Sequence, residues 1–131
     1  MPVRVVAGLI YQGDHVLVCQ RKEGGSFPLR WEFPGGKVEN REDDLATLRR
    51  ELKEELGIEV QSAGEVFRHS HSYPDQIVDL IFFKIETYRD SVCNKVFERV
   101  RWLNMEDLKE LDFLEGDLPL IEKLISGKLR V

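Results

Sequence analysis

Residues 43–56, DDLATLRRELKEEL, constrain the fold more than any other stretch of this chain. Leu45, Leu48, Leu52 and Leu56 recur at spacings of three and four, which places them on one stripe of a helix. Gly57 stands where such a helix ends. An apolar stripe of this kind has to be buried against another layer of structure. Its flank is unusual. At 100° per residue, Glu55 lies about 80° from the centre of the stripe, Glu51 about 40° further round and Glu54 about 60° beyond that. Arg50 falls on the far side of Glu54. Three carboxylates therefore share one arc at the edge of the core, where like charges oppose one another by about 0.2–0.5 kcal/mol per pair.

Taken alone, the arc reads as a solvated acidic face balanced by Lys53 and Arg50. Its approach changes that reading. Pro34-Gly35-Gly36 forms a sharp turn that brings backbone carbonyls near the helix, and Glu39 and Glu42 add acids. An oxygen-rich cluster suits Mg²⁺ or Mn²⁺, which prefer carboxylate, carbonyl and water ligands. A bound cation turns the mutual repulsion into attraction.

The rest of the chain supplies strands. Residues 3–11 are apolar and β-branched, and 16–21 return from a turn at Gln12-Gly13-Asp14-His15. Residues 22–30 form a polar loop, and 31–33 a short strand-like piece. Residues 58–73 and 76–87 predict a long hairpin around Pro74-Asp75, and 96–103 another strand. Asn104 is placed to cap a short helix over 105–111, and a last helix over 118–126 has Pro119 in its first turn. Strands, helix, strands, helices in this order predict an α+β or α/β sandwich with a mixed sheet.

At 131 residues, one domain over 1–131 is expected. A net charge of −5 argues against a nucleic-acid polymer as main partner. It leaves room for a phosphorylated small molecule, because a metal reverses the local charge. No apolar run approaches the ~20 residues that span a bilayer, so no membrane partner is expected. The start, MPVRVVAGLIYQGD, reads as a strand and not a signal peptide; with only Cys19 and Cys93, a reduced cytoplasmic protein is expected. Cys19 reads as a buried apolar residue.

Gly36, five residues, Glu42, seven residues, then Arg50-Glu51-Leu52-Lys53-Glu54-Glu55-Leu56-Gly57-Ile58 matches the Nudix box over residues 36–58. WEFPGGKVE, residues 31–39, is similar to the MutT branch of the Nudix hydrolases, as are the strand ending in Gln20-Arg21 and the tail FLEGDLPLIEKL, residues 113–124. The resemblance implies an α/β/α sandwich that cleaves a nucleoside diphosphate linked to another group, with divalent metal. The MutT branch takes nucleoside triphosphates to the monophosphate and pyrophosphate. The resemblance makes Glu51, Glu54 and Glu55 metal ligands together with the Gly35 carbonyl, and has Arg50 orient the acids, with Glu42 in support. Glu51 or Glu54 is the candidate general base. Arg21 and Lys37 are the basic candidates for phosphate contact. Many relatives supply a further glutamate before a strand ending in Trp-hydrophobic. KVFERVRWL offers Glu98, a candidate ligand or base and equally a strand residue paired with Arg99 or Arg101.

Phe33 is expected to line a base pocket or simply to pack in the core, and Tyr73 and Ile77 are candidates for the base. Asp117 aligns with the position that reads the base in MutT-like proteins. It also suits an N-cap before Leu118 and Pro119. His69 and His71 share a strand face and read more readily as packing than as substrate contacts. The leading expectation is a nucleotide-pool hydrolase, acting either on 8-oxo-dGTP, with a consequence for DNA repair, or on CTP or a methylated dCTP. The alternatives are another nucleotide substrate, such as a dinucleoside polyphosphate, ADP-ribose or a capped RNA end, and a non-catalytic nucleotide sensor.

Overall fold

A computed structural model describes residues 2–131. Its centre is a mixed sheet in which β1 (Val3–Leu9) pairs in parallel with β7 (Gln76–Arg89). The antiparallel β5 (Gly35–Lys37) pairs with the other edge of β1, and β6 (Glu59–Tyr73) pairs with β7 as a long hairpin arm. A second sheet is built around β3 (His15–Gln20), which pairs antiparallel with β2 (Tyr11–Gln12), β4 (Trp31–Glu32) and β8 (Arg99–Leu103). This is the mixed α+β architecture that the order of elements predicts.

Period-two alternation in β1 and β3 makes two cores. Val6, Ile10, Leu17 and Cys19 face one way, against Leu48, Leu52 and Leu56 of α1 (Asp44–Leu56). Ala7, Leu9, Val16 and Val18 face the other way, in a cluster with Leu120, Ile121 and Leu124 of α2 (Leu118–Ser126). The leucine stripe is therefore the face that seats α1 on the sheets. Asp43 caps its start by accepting from the Ala46 N–H at 2.7 Å, and Gly57 ends it at φ 71°.

Several expectations shift at the edges. Residues 35–37 are a strand on β1 as well as the exit of a turn, because the backbone of Gly35 is pressed against Val6 and Ala7; a Cβ there would stand 2.0 Å from the Val6 carbonyl oxygen. The stretch 3–11 breaks at Ile10, and 96–98 precede β8 and do not join it. The short helix after Asn104 is 3-10, over Met105–Glu110, with the Asn104 side chain accepting from the Asp107 N–H. Among the described residues no helix is long and apolar enough to cross a membrane.

Leu52 is fully buried between α1 and the sheets. Leu52→Ala is expected to cost about 2–5 kcal/mol in chemical denaturation, with an unchanged far-ultraviolet spectrum under native conditions.

Candidate active site

The Gly35-Gly36 strand runs beside the acidic flank of α1. The Gly35 N–H donates to Glu55 Oε1 at 3.1 Å. A Cβ on Gly36 would lie 2.4 Å from Glu51 Cδ, so any side chain there would displace this carboxylate from the strand. Glycine at 35 and 36 thus brings backbone against both inner acids of the helix.

Arg50 organises the outer ones. Its Nε donates to Glu42 Oε2 at 2.8 Å and its Nη1 to Glu51 Oε1 at 2.8 Å. Glu54 lies 3.7 Å and Glu39 3.9 Å from the same guanidinium. The buried Thr47 hydroxyl donates to Glu42 Oε1 at 3.0 Å, so Glu42 is itself held. The hydrogen bond from Arg50, foremost, holds the Glu42 carboxyl down at about 2. Of the three helix acids, Glu54 is the most exposed, with 59% of its side chain open to solvent.

Sequence reasoning missed a further acid of the cluster. Glu32 sits in the two-residue β4, paired with Cys19 of β3, where burial pushes its carboxyl up and Arg21 opposes the shift. Its signal was the acid inside WEFPGGK, an isolated charge in an apolar strand. Arg21 Nη1 donates to both Glu32 oxygens at 3.1 and 3.2 Å, so Arg21 is engaged with an acid. Burial, then the charges of Glu51 and Glu32, raise Glu55 to about 9. Lys37 is exposed on β5, and its carbonyl accepts from Arg50 at 3.3 Å.

Among the described residues no three acidic, imidazole or thiol side chains are arranged as a ready-made metal cage; Arg50 donates to Glu51 and the Gly35 N–H to Glu55. The donor chemistry nonetheless fits a hard divalent cation. Glu32, Glu51 and Glu55 are close enough to raise Glu55 well above its ordinary range, and a cation offsets that repulsion directly. The Glu98 backbone N–H donates to Gln20 O at 2.9 Å, beside Arg21, and its exposed side chain has no ion pair with Arg99 or Arg101.

The second half of the site lies along the edge of β4 that does not pair with β3. Trp31 exchanges backbone hydrogen bonds with residues 112 and 114, which carries the tail past Phe33. Asp117 is buried there, and its Oδ2 accepts from the Phe33 N–H at 3.4 Å. It makes no side-chain cap for α2, so of the two expectations for Asp117 the capping one falls away. Burial, with the Glu32 charge behind it, raises the Asp117 carboxyl well above the carboxylate range. The Phe33 ring belongs to the core, edge-on to Phe82 and tilted on Phe113. Tyr73 accepts from the Gly116 N–H at 3.0 Å. His69 Nε2 is 2.7 Å from Gly116 O and His71 Nε2 3.4 Å from Glu115 Oε2, so both histidines hold the turn that carries Asp117. Ile77 is exposed opposite Ser72, outside this group.

A carboxyl protonated in the folded state and ionised in the unfolded chain withdraws stability as pH rises from its ordinary value toward its raised one. For Glu55 the loss runs from about 4.5 to about 9. In chelator-treated protein, Glu55→Gln is expected to exceed wild type in stability by about 1–2 kcal/mol at pH 8 and to match it at pH 4, in urea titrations at both pH values.

Comparison with known proteins agrees with this geometry. The NUDIX domain family matches residues 1–124. The chain is 29% identical to the CTP pyrophosphohydrolase of Escherichia coli K12 over 95% of its length and 92% of that protein's. It is 30% identical to the 8-oxo-dGTP diphosphatase of Haemophilus influenzae, again over 95% and 92% of the two chains. A MutT structure from work on Aliivibrio salmonicida and Vibrio cholerae superposes with a TM-score of 0.81 at 25% identity, covering 97% of this chain and 99% of that one. The chain belongs to the NUDIX family, as a MutT-like hydrolase.

Proposed function

We propose that the protein hydrolyses a nucleoside triphosphate to the monophosphate and pyrophosphate. The observation that carries this reading is the pairing of two unlike sites across β4: an acidic cluster suited to cation and polyphosphate, and a buried Asp117 suited to a base edge. The substrates named for the relatives, CTP and 8-oxo-dGTP, support the nucleotide assignment.

Glu51 and Glu55, with the Gly35 carbonyl, would hold Mg²⁺ or Mn²⁺, and Glu54 would complete the set or serve as base. A divalent cation there supplies charge neutralisation for the phosphates and acidifies water near them. Arg50 holds Glu51 by a charge-assisted hydrogen bond and stands 3.7 Å from Glu54 as an ion pair. Glu54 is our choice for the general base, because of the three helix acids it is the most exposed and accepts no hydrogen bond, so it can take a proton from attacking water. Glu98 stays outside the holding set in this reading. Lys37, exposed beside the cluster, and Arg21, once released from Glu32, would meet phosphate oxygens.

A protonated Asp117 presents a donor and an acceptor side by side. Cytosine offers N3 beside its amine, and guanine offers O6 beside its N1–H, so both edges match. The base pocket would be completed by Tyr73 and the backbone of Phe33. An acidic chain of net charge −5 favours free nucleotides over a nucleic-acid polymer. Two free cysteines, one buried and one exposed, favour the cytoplasm, and residues 1–131 are taken as one domain.

Incubation with Mg²⁺ and a panel of CTP, dCTP, 5-methyl-dCTP, dGTP, 8-oxo-dGTP, ADP-ribose and diadenosine tetraphosphate, followed by chromatography, is expected to yield monophosphate and pyrophosphate from a triphosphate. Cleavage confined to the last two would overturn the triphosphate reading. Glu54→Gln is expected to lower turnover by about 10²–10⁴-fold with folding intact, and unchanged turnover would remove Glu54 as base.

A further inference from the structure

Phe27 is the only exposed one of the seven phenylalanines. It stands 46% exposed at the tip of the 21–30 loop, with φ at 49°. A bulky side chain in that region of backbone space is a real outlier, and the following Pro28 narrows its choices further. Leu29 repeats the strain at φ 62° and is also exposed. Such strain persists only where the surroundings over-determine it, and it concentrates at ligand sites.

The surroundings do over-determine it. Arg21 Nε donates to Ser26 O at 2.9 Å and Nη2 to Ser26 Oγ at 2.9 Å. The Leu29 N–H donates to Arg21 O at 3.0 Å, and Gln20 Nε2 to Leu29 O at 3.2 Å. The same guanidinium that fixes the loop is anchored on Glu32, between the acidic cluster and Asp117. Held in this way, the Phe27 ring rests on Tyr73, with centroids 5.4 Å apart and planes tilted by 51°. Tyr73 in turn bonds the turn that carries Asp117.

We propose that Phe27 stacks on the face of the nucleobase whose edge Asp117 reads, forming with Tyr73 a two-ring wall for the base. The assignment rests on the nucleotide reading above. It explains why the chain keeps an aromatic ring exposed and strained beside Tyr73. Every base has a π-face, so this wall adds affinity for purines and pyrimidines alike and leaves the choice between them to Asp117.

The test uses the products dCMP and dGMP, with ribose 5-phosphate as the base-free control. Calorimetry with Mg²⁺ is expected to show Phe27→Ala binding both nucleotides about tenfold more weakly than wild type, with ribose 5-phosphate unaffected. In Phe27→Trp, either nucleotide is expected to change tryptophan emission beyond the change seen in wild type, which already carries Trp31 and Trp102. Ribose 5-phosphate should not. Wild-type affinity in Phe27→Ala together with a silent Phe27→Trp would overturn this assignment alone and leave hydrolysis standing. Failure of both nucleotides to bind wild-type protein would overturn it together with the reading beneath it.

Discussion

Carboxylates held against their own repulsion govern this molecule. Glu32, Glu51 and Glu55 come from a two-residue strand and from α1, yet burial and proximity lift Glu55 to about 9. No helix gathers such groups for stability. The arrangement persists because packing outweighs it. Four leucines seat α1, and the Gly35-Gly36 strand has no side chain with which to push Glu51 away. Arg50 then ties Glu42 and Glu51 and stands near Glu39 and Glu54, so one guanidinium carries much of the outer charge. What Arg50 and Arg21 leave without a cationic partner is Glu55, which is where a divalent cation has most to gain.

The same electrostatics reach the far side of β4. Glu32 answers to Arg21 on one side and raises Asp117 on the other. Arg21 also fixes the 21–30 loop through Ser26. The acidic cluster and the Asp117 side of β4 are therefore joined through two residues of opposite charge. A substrate that drew Arg21 toward its phosphates would loosen the loop that carries Phe27.

How much of this could be read from sequence follows from the range of each interaction. The α1 stripe and its acidic arc are local: 3.6-residue periodicity and the Gly57 cap mark them, and the helix forms where the spacing predicts. Asp117 beside Phe33 was legible only through likeness to the MutT tail, since the contact joins residues 84 positions apart. Its cap alternative failed because Asp117 has helical backbone angles, φ −87° and ψ −16°, where a capping residue is extended, and its carboxyl accepts from the Phe33 N–H instead. Glu32 was missed because β4 is too short to show a period. Arg21 read as a free cation because nothing local reveals that its partner is the acid across the hairpin. Phe27 left no signal at all, because strain is a property of backbone angles and not of composition.

The central claim is that the acids tolerate one another in order to hold a divalent cation. Calorimetric titration of metal-free protein with Mg²⁺ at pH 7.5, repeated in buffers of different ionisation enthalpy, tests it most directly. Binding should release close to one proton, because Glu55 must ionise to meet the cation, and the release should vanish in Glu55→Gln. Saturable binding with no proton release, or no binding to the wild-type protein, would contradict the account.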